Sequence, residues 1–503
     1  MGSTTGHHAL RNKRNTSSVY LPEITGLSAF LPHFVLGLLD VAQGKSGNGD
    51  TLNMRDIDAD ALKVVRKLLA AGHEAYLVGG CVRDLYVGLK PKDFDVATSA
   101  RPEQIRRVFR NSRIIGRRFK LAHVFFGTKV IETATFRAPP PTLADGEELL
   151  ITQDNEWGSV EDDARRRDFT INGLFFDVES RDIVDFVDGM DDLDHGIIRT
   201  IGDPWVRFRE DPVRMIRAIK FAARLNFTFD DDCWKALLEV ASDIAKCPRA
   251  RLLEEVYKLL RGGTSRRCFE LMHESHLLEN IWPGYLELFS GDGGLRLPQT
   301  NETGASANPD PDGQQDSSDR FWRYLDALDH FVSETRQTPS NSIMQAALFA
   351  PHLEAQVLSA PRSSLEGIIE DLMTPACVEL GVARRDRELA RQIFMVHRRM
   401  VQSGHRRKPT LIHRQDFHDA LVFLGFSVAA RNQDSCALKH WQNIAQLQTG
   451  VDDDGSEGEA QDGKRPRRRR GRRGRRGPAT SSSSSSSRRG SGGGRRASSP
   501  SGG

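Results

Sequence analysis

The chain has 503 residues, with 71 basic and 68 acidic side chains and a formal net charge of +3 at pH 7. This length allows two or three domains with a sizeable core. The charge is unevenly distributed, because residues 464–503 contain 14 basic side chains and no acidic one, which leaves 57 basic against 68 acidic residues elsewhere. Such a polycationic end is typical of a segment that attracts nucleic acid through its phosphates.

Cysteine usage and hydropathy exclude several other classes of protein. The six cysteines are scattered, and none forms the C-x-x-C pair of a zinc site, so we expect reduced thiols and a cytoplasmic location. An apolar run over residues 27–41 is interrupted by Pro32 and Asp40 and is too short to span a bilayer. We therefore expect no membrane association. The sequence identifies no protein partner.

The first predicted elements lead to a phosphate site. After a polar leader over residues 1–53, an amphipathic helix is predicted over 55–69, followed by a short buried strand over 75–78. Gly79 and Gly80 end this strand, and without a Cβ their backbone N–H groups can approach phosphate oxygens closely. Arg83 can add a bidentate contact to a phosphate.

Two acidic residues follow, Asp93 and Asp95. Phe94 between them and Val96 after them indicate a strand packed on a core, which would point both carboxylates to the same face. Two adjacent carboxylates repel each other unless a cation lies between them, and hard oxygen ligands suit Mg²⁺. An isolated Asp-x-Asp is also common in solvated loops, so the prediction depends on its combination with the glycine pair.

A second group of polar residues lies between 165 and 175. Asp168 could supply a third carboxylate, Arg167 could hold triphosphate charge, and Asn172 could hydrogen-bond to a ribose hydroxyl or a phosphate. Taken alone, this segment is more typical of a basic loop that Asp168 caps before a buried apolar stretch.

An amphipathic helix is predicted over residues 207–224, with Pro212 in its first turn. Asp211 and Arg214 are three residues apart and thus neighbours on one surface. One accepts and the other donates hydrogen bonds, so together they could read the edge of a base. The alternative is an ordinary surface ion pair between the two side chains.

In this order, the motifs resemble the class II nucleotidyltransferases of the polymerase-beta superfamily, a group that contains bacterial poly(A) polymerases and tRNA CCA-adding enzymes. The resemblance covers about residues 54–285 and includes the segment from Asp185 to Leu193. It implies that Asp93 and Asp95 bind the metal ions, Mg²⁺ or Mn²⁺, and that Asp168 is the third catalytic acid. It also implies ATP-binding roles for Gly79, Gly80, Arg83 and Arg167 at the triphosphate, Asn172 at the ribose, and Asp211 and Arg214 at the base.

The implied fold class is α+β, with a polymerase-beta-like nucleotidyltransferase head that contains a mixed sheet, then an all-α neck and body between disordered termini. The expected divisions are a disordered or weakly ordered leader (1–53), the head (54–198), a helical neck (199–262), an RNA-binding helical body (263–449) with a disordered insertion (290–319), and a disordered Arg/Ser-rich tail (450–503).

Residues 114–127 favour one branch of this family, because they resemble a stretch peculiar to bacterial poly(A) polymerases, as do 131–137 and 250–255. We therefore expect template-independent addition of adenylate from ATP to RNA 3′ ends, with a CCA-adding tRNA nucleotidyltransferase as the alternative. A non-catalytic RNA-binding protein is a third possibility, against which the intact carboxylates argue. The residues expected to contact RNA are Arg117, Arg118, Arg467, Arg468, Arg469 and Arg470.

Overall fold

A computed structural model describes residues 52–116, 120–138, 156–298, 316–402, 411–433 and 435–452. Almost all of the predicted leader, the predicted tail beyond residue 452 and most of the predicted insertion lie outside these ranges. Arg117 and Arg118 also lie outside the described residues, so the predictions on them are not examined by the structure.

Seven strands form one sheet: β1 (Ala75–Val78), β2 (Asp95–Thr98), β3 (Ser112–Ile115), β4 (Leu121–Phe126), β5 (Lys129–Thr135), β6 (Phe175–Phe176) and β7 (Ile183–Val184). Their order across the sheet is β3–β4–β5–β2–β1–β6–β7. The pairing of β2 with β5 is parallel and the other pairings are antiparallel, so the sheet is mixed, as predicted.

Five helices accompany this sheet: α1 (Ala59–Ala70), α2 (Gly80–Tyr86), α3 (Pro102–Val108), α4 (Val160–Arg165) and α5 (Gly189–His195). The Asp58 carboxylate begins α1 by accepting hydrogen bonds from the N–H groups of Asp60 and Ala61. Helices α1 and α3 pack on one face of the sheet, where Ile105 joins the same core as Val124. Helix α4 packs on the other face, where Ala164 joins a second core with Ala97 and Phe175, and the described residues of this core include none from β3, β4 or β5.

The remaining described chain is helical apart from a short parallel pair of strands, β8 (Ile197–Ile198) and β9 (Thr228–Phe229). The helices are α6 (Pro204–Glu210), α7 (Val213–Leu225), α8 (Asp231–Val240), α9 (Arg249–Leu260), α10 (Ser265–Glu274), α11 (Leu277–Ile281), α12 (Pro283–Leu286), α13 (Ser317–Thr335), α14 (Asn341–Ser359), α15 (Leu365–Leu380), α16 (Arg384–Gln402), α17 (Phe417–Arg431) and α18 (Cys436–Asp452).

An α+β head followed by helices confirms the predicted fold class. Helix α13 begins at Ser317, inside the predicted insertion over 290–319, and a short 3₁₀ helix reaches Asp292 from the other side. Within the described residues, no helix combines the length and apolar character needed to cross a lipid bilayer.

One buried polar group joins four helices of the body. The Glu354 carboxylate on α14 accepts hydrogen bonds from the hydroxyls of Tyr324 on α13 and Ser427 on α17. His397 on α16 is fully buried, with its Nε2 3.5 Å from Glu354 Oε1. Burial lowers the pKa of His397, although Glu354 acts in the opposite direction. The folded body therefore keeps this imidazole neutral at a pH where an exposed histidine is charged.

We expect acid to destabilise the body through His397. The unfolded chain binds a proton on this histidine below its ordinary pKa of about 6.5, whereas the folded chain does not, so stability falls as the pH drops below that value. His397→Leu should reduce this pH dependence by up to about 1.4 kcal/mol per pH unit. Calorimetric unfolding between pH 7.5 and 5.5 measures how the free energy of unfolding changes with pH, and His195→Leu, at an exposed site, is the control. An unchanged slope in His397→Leu would contradict this account.

Candidate active site

In the turn after β1, the backbone lies in close contact with an arginine side chain. Gly79 has a φ of +69°, and its N–H donates to the Leu174 carbonyl at 3.0 Å. A Cβ at Gly79 would lie 3.0 Å from Nη1 of Arg167, so both the backbone conformation and the space favour glycine. Gly80 then begins α2. The structure thus places Arg167 directly against the glycine turn.

Arg167 is held in this place by its other contacts. Its Nη2 donates to Oδ2 of the buried Asp163 at 2.8 Å, and its Cζ lies 5.0 Å from the centroid of the Phe175 ring. Burial acts to raise the pKa of Asp163, but Arg167 and Arg166 outweigh it and lower this pKa. The Arg167 side chain is 21% exposed, so part of it remains accessible to solvent.

Arg83 is buried, with 2% of its surface exposed. Its Nε and Nη2 donate to Oδ1 of Asp84 at 2.9 and 2.6 Å, and its Nη1 donates to Oδ1 of Asn172 at 2.5 Å. The second oxygen of Asp84 accepts from Nη2 of Arg224, on α7, at 2.7 Å. Burial lowers the pKa of Arg83 while Asp84 acts against it. Each nitrogen of the predicted phosphate-binding guanidinium is thus engaged within the protein.

Asp168 closes these contacts into a ring. Its Oδ1 accepts from Nδ2 of Asn172 at 3.1 Å, and its Oδ2 accepts from Nε of Arg217, also on α7, at 2.7 Å. Burial acts to raise the pKa of Asp168, but Arg217 and Asn172 outweigh it, with help from Arg214, and lower it to about 2. We call the closed set of Arg217, Asp168, Asn172, Arg83, Asp84 and Arg224 the polar ring.

The polar ring surrounds an aromatic side chain of α7. The Cζ atoms of Arg83 and Arg217 lie 4.9 and 5.4 Å from the centroid of the Phe221 ring. Phe221 in turn makes an edge-to-face contact with Phe169, with centroids 5.7 Å apart. Cations over an aromatic face are attracted by its quadrupole. The polar ring and Phe221 thus connect α2 to α7.

The two acidic residues of the Asp-x-Asp motif differ in position. Strand β2 begins at Asp95 and Asp93 precedes it, so the prediction that the strand includes both residues is wrong. In the parallel pairing of β2 with β5, Asp95 lies opposite Glu132. All three side chains are exposed, yet the surrounding protein desolvates the Asp95 carboxylate. This desolvation, with the charges of Glu132 and Asp93, raises the pKa of Asp95 to about 6, while Arg167 acts to lower it.

This concentration of negative charge suits a divalent cation. Within the described residues, no group of three or more histidine, cysteine, aspartate or glutamate side chains is arranged so that it could hold a metal ion by itself. Mg²⁺, however, is usually bound through one or two carboxylates together with substrate phosphates. Asp95, Glu132 and Asp93 could provide such carboxylates beside the glycine turn.

The sequence reasoning missed Glu132. The signal available was the alternation of buried Ile131 and Thr133 around an exposed acid in the segment recognised as a strand. That alternation does not reveal the neighbouring strand, so the pairing with Asp95 required the structure.

Asp211 and Arg214 lie close in sequence but have separate partners. Asp211 Oδ2 accepts from Nη2 of Arg251 at 2.7 Å, and its Oδ1 is buried without a hydrogen bond to any described residue. Arg214 Nη1 donates to Oε2 of Glu210 at 2.8 Å and to the Arg207 carbonyl at 2.9 Å. The described residues therefore do not show the surface ion pair that was the alternative for these two positions.

Comparison with known proteins supports a single family. The family model for the "Poly A polymerase head domain" matches residues 75–199, that for the "Probable RNA and SrmB- binding site of polymerase A" matches 226–288, and that for the "Polymerase A arginine-rich C-terminus" matches 359–476. The third match reaches Arg467, Arg468, Arg469 and Arg470, which lie outside the described residues and whose contact with RNA stays a prediction.

Individual relatives agree with these matches. Poly(A) polymerase I of Salmonella typhi is 36% identical over 430 residues, which cover 83% of this chain and 88% of that protein. The CCA-adding enzyme of Bacillus subtilis is 34% identical over 233 residues, 46% of this chain and 57% of that protein. A crystal structure of the Bacillus stearothermophilus CCA-adding enzyme with CTP has a TM-score of 0.54 at 23% identity, covers 78% of this chain and 82% of its own, and supports the fold. The chain therefore belongs to the poly(A) polymerase family of nucleotidyltransferases.

Proposed function

We propose that this protein adds adenylate from ATP to the 3′ ends of RNA without a template, releasing pyrophosphate, in the cytoplasm. The observation that carries the proposal is the position of Asp95. Its carboxylate lies beside two other acids, and it experiences the charge of Arg167, which lines the glycine turn. Acids and a phosphate cradle side by side are the two parts that nucleotidyl transfer needs.

In the proposed mechanism, the triphosphate lies along the turn of Gly79 and Gly80, where the accessible part of Arg167 stabilises negative charge on the departing pyrophosphate. Asp93, Asp95 and Glu132 would hold Mg²⁺, with Mn²⁺ as a substitute. These ions would make the RNA 3′-hydroxyl a better nucleophile and neutralise charge as the α-phosphate is displaced in line.

We assign the third carboxylate to Glu132 and give Asp168 another role. Glu132 lies directly opposite Asp95 across two paired strands, whereas both oxygens of Asp168 already accept hydrogen bonds from Asn172 and Arg217. An acid engaged in this way is a weaker candidate for a metal ligand. In our proposal Asp168, Arg83 and Asn172 position the site, because they link the glycine turn to α7.

Asp211 and Arg214 would read the base. They lie at the start of α7, the helix that the polar ring fastens to α2. The unpaired Oδ1 of Asp211 is an acceptor that a base amino group could use after a small movement of the side chain. Arg214 offers donors for the ring nitrogens.

Removing a carboxylate at the strand start should abolish transfer. We expect Asp95→Ala to lower the rate of adenylate addition at least about 10³-fold, because charge on the pyrophosphate is no longer neutralised. Single-turnover extension of a labelled RNA by ATP measures this rate, and circular dichroism checks folding. Asp232→Asn, at an exposed ion pair on α8, is the matched control. Near-normal transfer by a folded Asp95→Ala enzyme would refute the assignment.

Measurements of metal binding can distinguish the proposed roles of Glu132 and Asp168. Glu132→Gln should weaken Mn²⁺ binding in the presence of ATP about tenfold, as expected for a lost or disturbed ligand. Asp168→Asn should leave Mn²⁺ affinity almost unchanged but lower stability by about 1 kcal/mol, because Arg217, whose side chain is 37% exposed, loses its charged partner. Electron paramagnetic resonance of free Mn²⁺ and thermal unfolding give the two quantities. The reverse pattern would restore Asp168 as the third acid.

Nucleotide choice decides between the two branches of the family. Because the poly(A) polymerase relative is matched over most of its length and the CCA-adding relative over 57% of its length, we expect kcat/KM for ATP to exceed that for CTP about 100-fold. Incubation of short RNA with either nucleotide alone measures both. Efficient addition of CTP would instead favour the CCA-adding alternative.

A further inference from the structure

Beside the acids, the sheet has a face on β3, β4 and β5 that no core cluster of the described residues covers, and we call it the free face. On β4 and β5, the buried Val124 and Ile131 point toward the core under α1 and α3. Side chains alternate along a strand, so the residues between them point to the opposite face. On that face Ile115 and Val130 are 45% and 37% exposed, which makes them two of the most exposed large apolar side chains in the described chain.

A row of polar side chains crosses this free face. The register places Arg113 on β3 opposite His123 on β4, His123 opposite Glu132 on β5, and Glu132 opposite Asp95 on β2. Residues opposite one another in paired strands project from the same face. His123 Nε2 lies 3.6 Å from Glu132 Oε1. With a strand spacing of about 5 Å, Arg113 is roughly 15 Å from Asp95 along this row.

The order of the strands indicates on which side of β2 the triphosphate and the acceptor would lie. The glycine turn follows β1, which lies on one side of β2, whereas β5, β4 and β3 lie on the other side. An in-line displacement requires the attacking hydroxyl to approach the α-phosphate opposite the departing pyrophosphate. If the triphosphate lies at Gly79, the acceptor must approach from the side of Glu132 and His123.

We propose that the free face of β3, β4 and β5 binds the last nucleotides of the acceptor RNA as a single strand. Arg113 contacts a backbone phosphate, and Phe125, the exposed-face neighbour of His123, stacks on a base. The guanidinium carbon of Arg113 lies 5.8 Å from the Phe125 centroid, so cation and aromatic ring form one surface. This inference rests on the proposed function, because it takes the position of the triphosphate from it.

The chemistry of the face fits single-stranded RNA. Proteins that bind single strands without strict sequence preference combine positive charge along the backbone with aromatic platforms for bases. Here Arg113 supplies the charge, Phe125 the platform, and Ile115 and Val130 apolar surface on either side. In a duplex the base faces are stacked away from such a platform. Glu132 and Asp95 lie at the other end of the row, where the RNA 3′-hydroxyl would be.

The test uses the full chain and a fluorescent oligoadenylate that ends in a 3′-deoxynucleotide, with anisotropy as the readout, and the same RNA with a 3′-hydroxyl for kinetics. Phe125→Ala should raise the Kd and the RNA KM about tenfold while the KM for ATP is unchanged, and Phe125→Tyr should restore both. Arg113→Ala should lower the slope of log Kd against log salt by about 0.7, as for one lost phosphate contact. Arg107→Ala, an exposed arginine on α3 over the other face, is the matched control.

Two results would overturn the acceptor surface. One is RNA affinity and RNA KM in Phe125→Ala and Arg113→Ala that equal those of the wild type. The other is an equal loss in Arg107→Ala, which would indicate a general effect of charge on the head. Neither result affects the proposed function, which is tested separately by whether the wild type adds adenylate to RNA and prefers ATP to CTP.

Discussion

The arrangement of this active site depends on a buried arginine that the protein itself neutralises. Arg83 is bonded to Asp84 on its own helix and to Asn172 on the segment after Asp168, and the polar ring returns through Arg217 and Arg224 to α7. Removing one partner of a buried charged group costs far more than an exposed ion pair contributes, since the remaining charge stays desolvated. The polar ring thus connects the segment after the glycine turn to the middle and the end of α7, although they come from the sheet-containing and the helical parts of the chain.

A second constraint acts at the opposite side of the turn. Asp95, Glu132 and Asp93 carry like charges close together, and desolvation by the surrounding protein makes ionisation of Asp95 harder still. Such an arrangement costs stability in the absence of a cation and favours binding of one. The strand order then separates the two ends of the reaction, because the phosphate cradle follows β1 while the free polar row extends over β5, β4 and β3. In our proposal, one sheet provides a leaving-group side, a metal position and an acceptor side in that order.

Local patterns in the sequence predicted much of this structure. The strand before Gly79 and the helical body follow from short-range periodicity, whereas the mixed sheet was predicted only through the resemblance to the nucleotidyltransferases. The single helix predicted over 207–224 is instead two helices, α6 and α7, which are separated at Asp211 and Pro212. Contacts between distant segments were not predictable in this way. Glu132 meets Asp95 only through a parallel pairing, Arg251 takes Asp211 away from its local neighbour Arg214, and Arg83 turned out to be a buried hub. Asp93 and Asp95 show the same limit, since two-residue spacing gives a common face only if the strand already includes both residues.

The most direct test of this account is a crystal structure of the protein with a non-hydrolysable ATP analogue and Mn²⁺, whose anomalous scattering locates the metal. The account predicts a peak at about 2.1 Å from carboxylate oxygens of Asp95 and Glu132, with the triphosphate along Gly79 and the accessible part of Arg167. A metal bound to Asp168, or a triphosphate lying over β4 and β3, would contradict it.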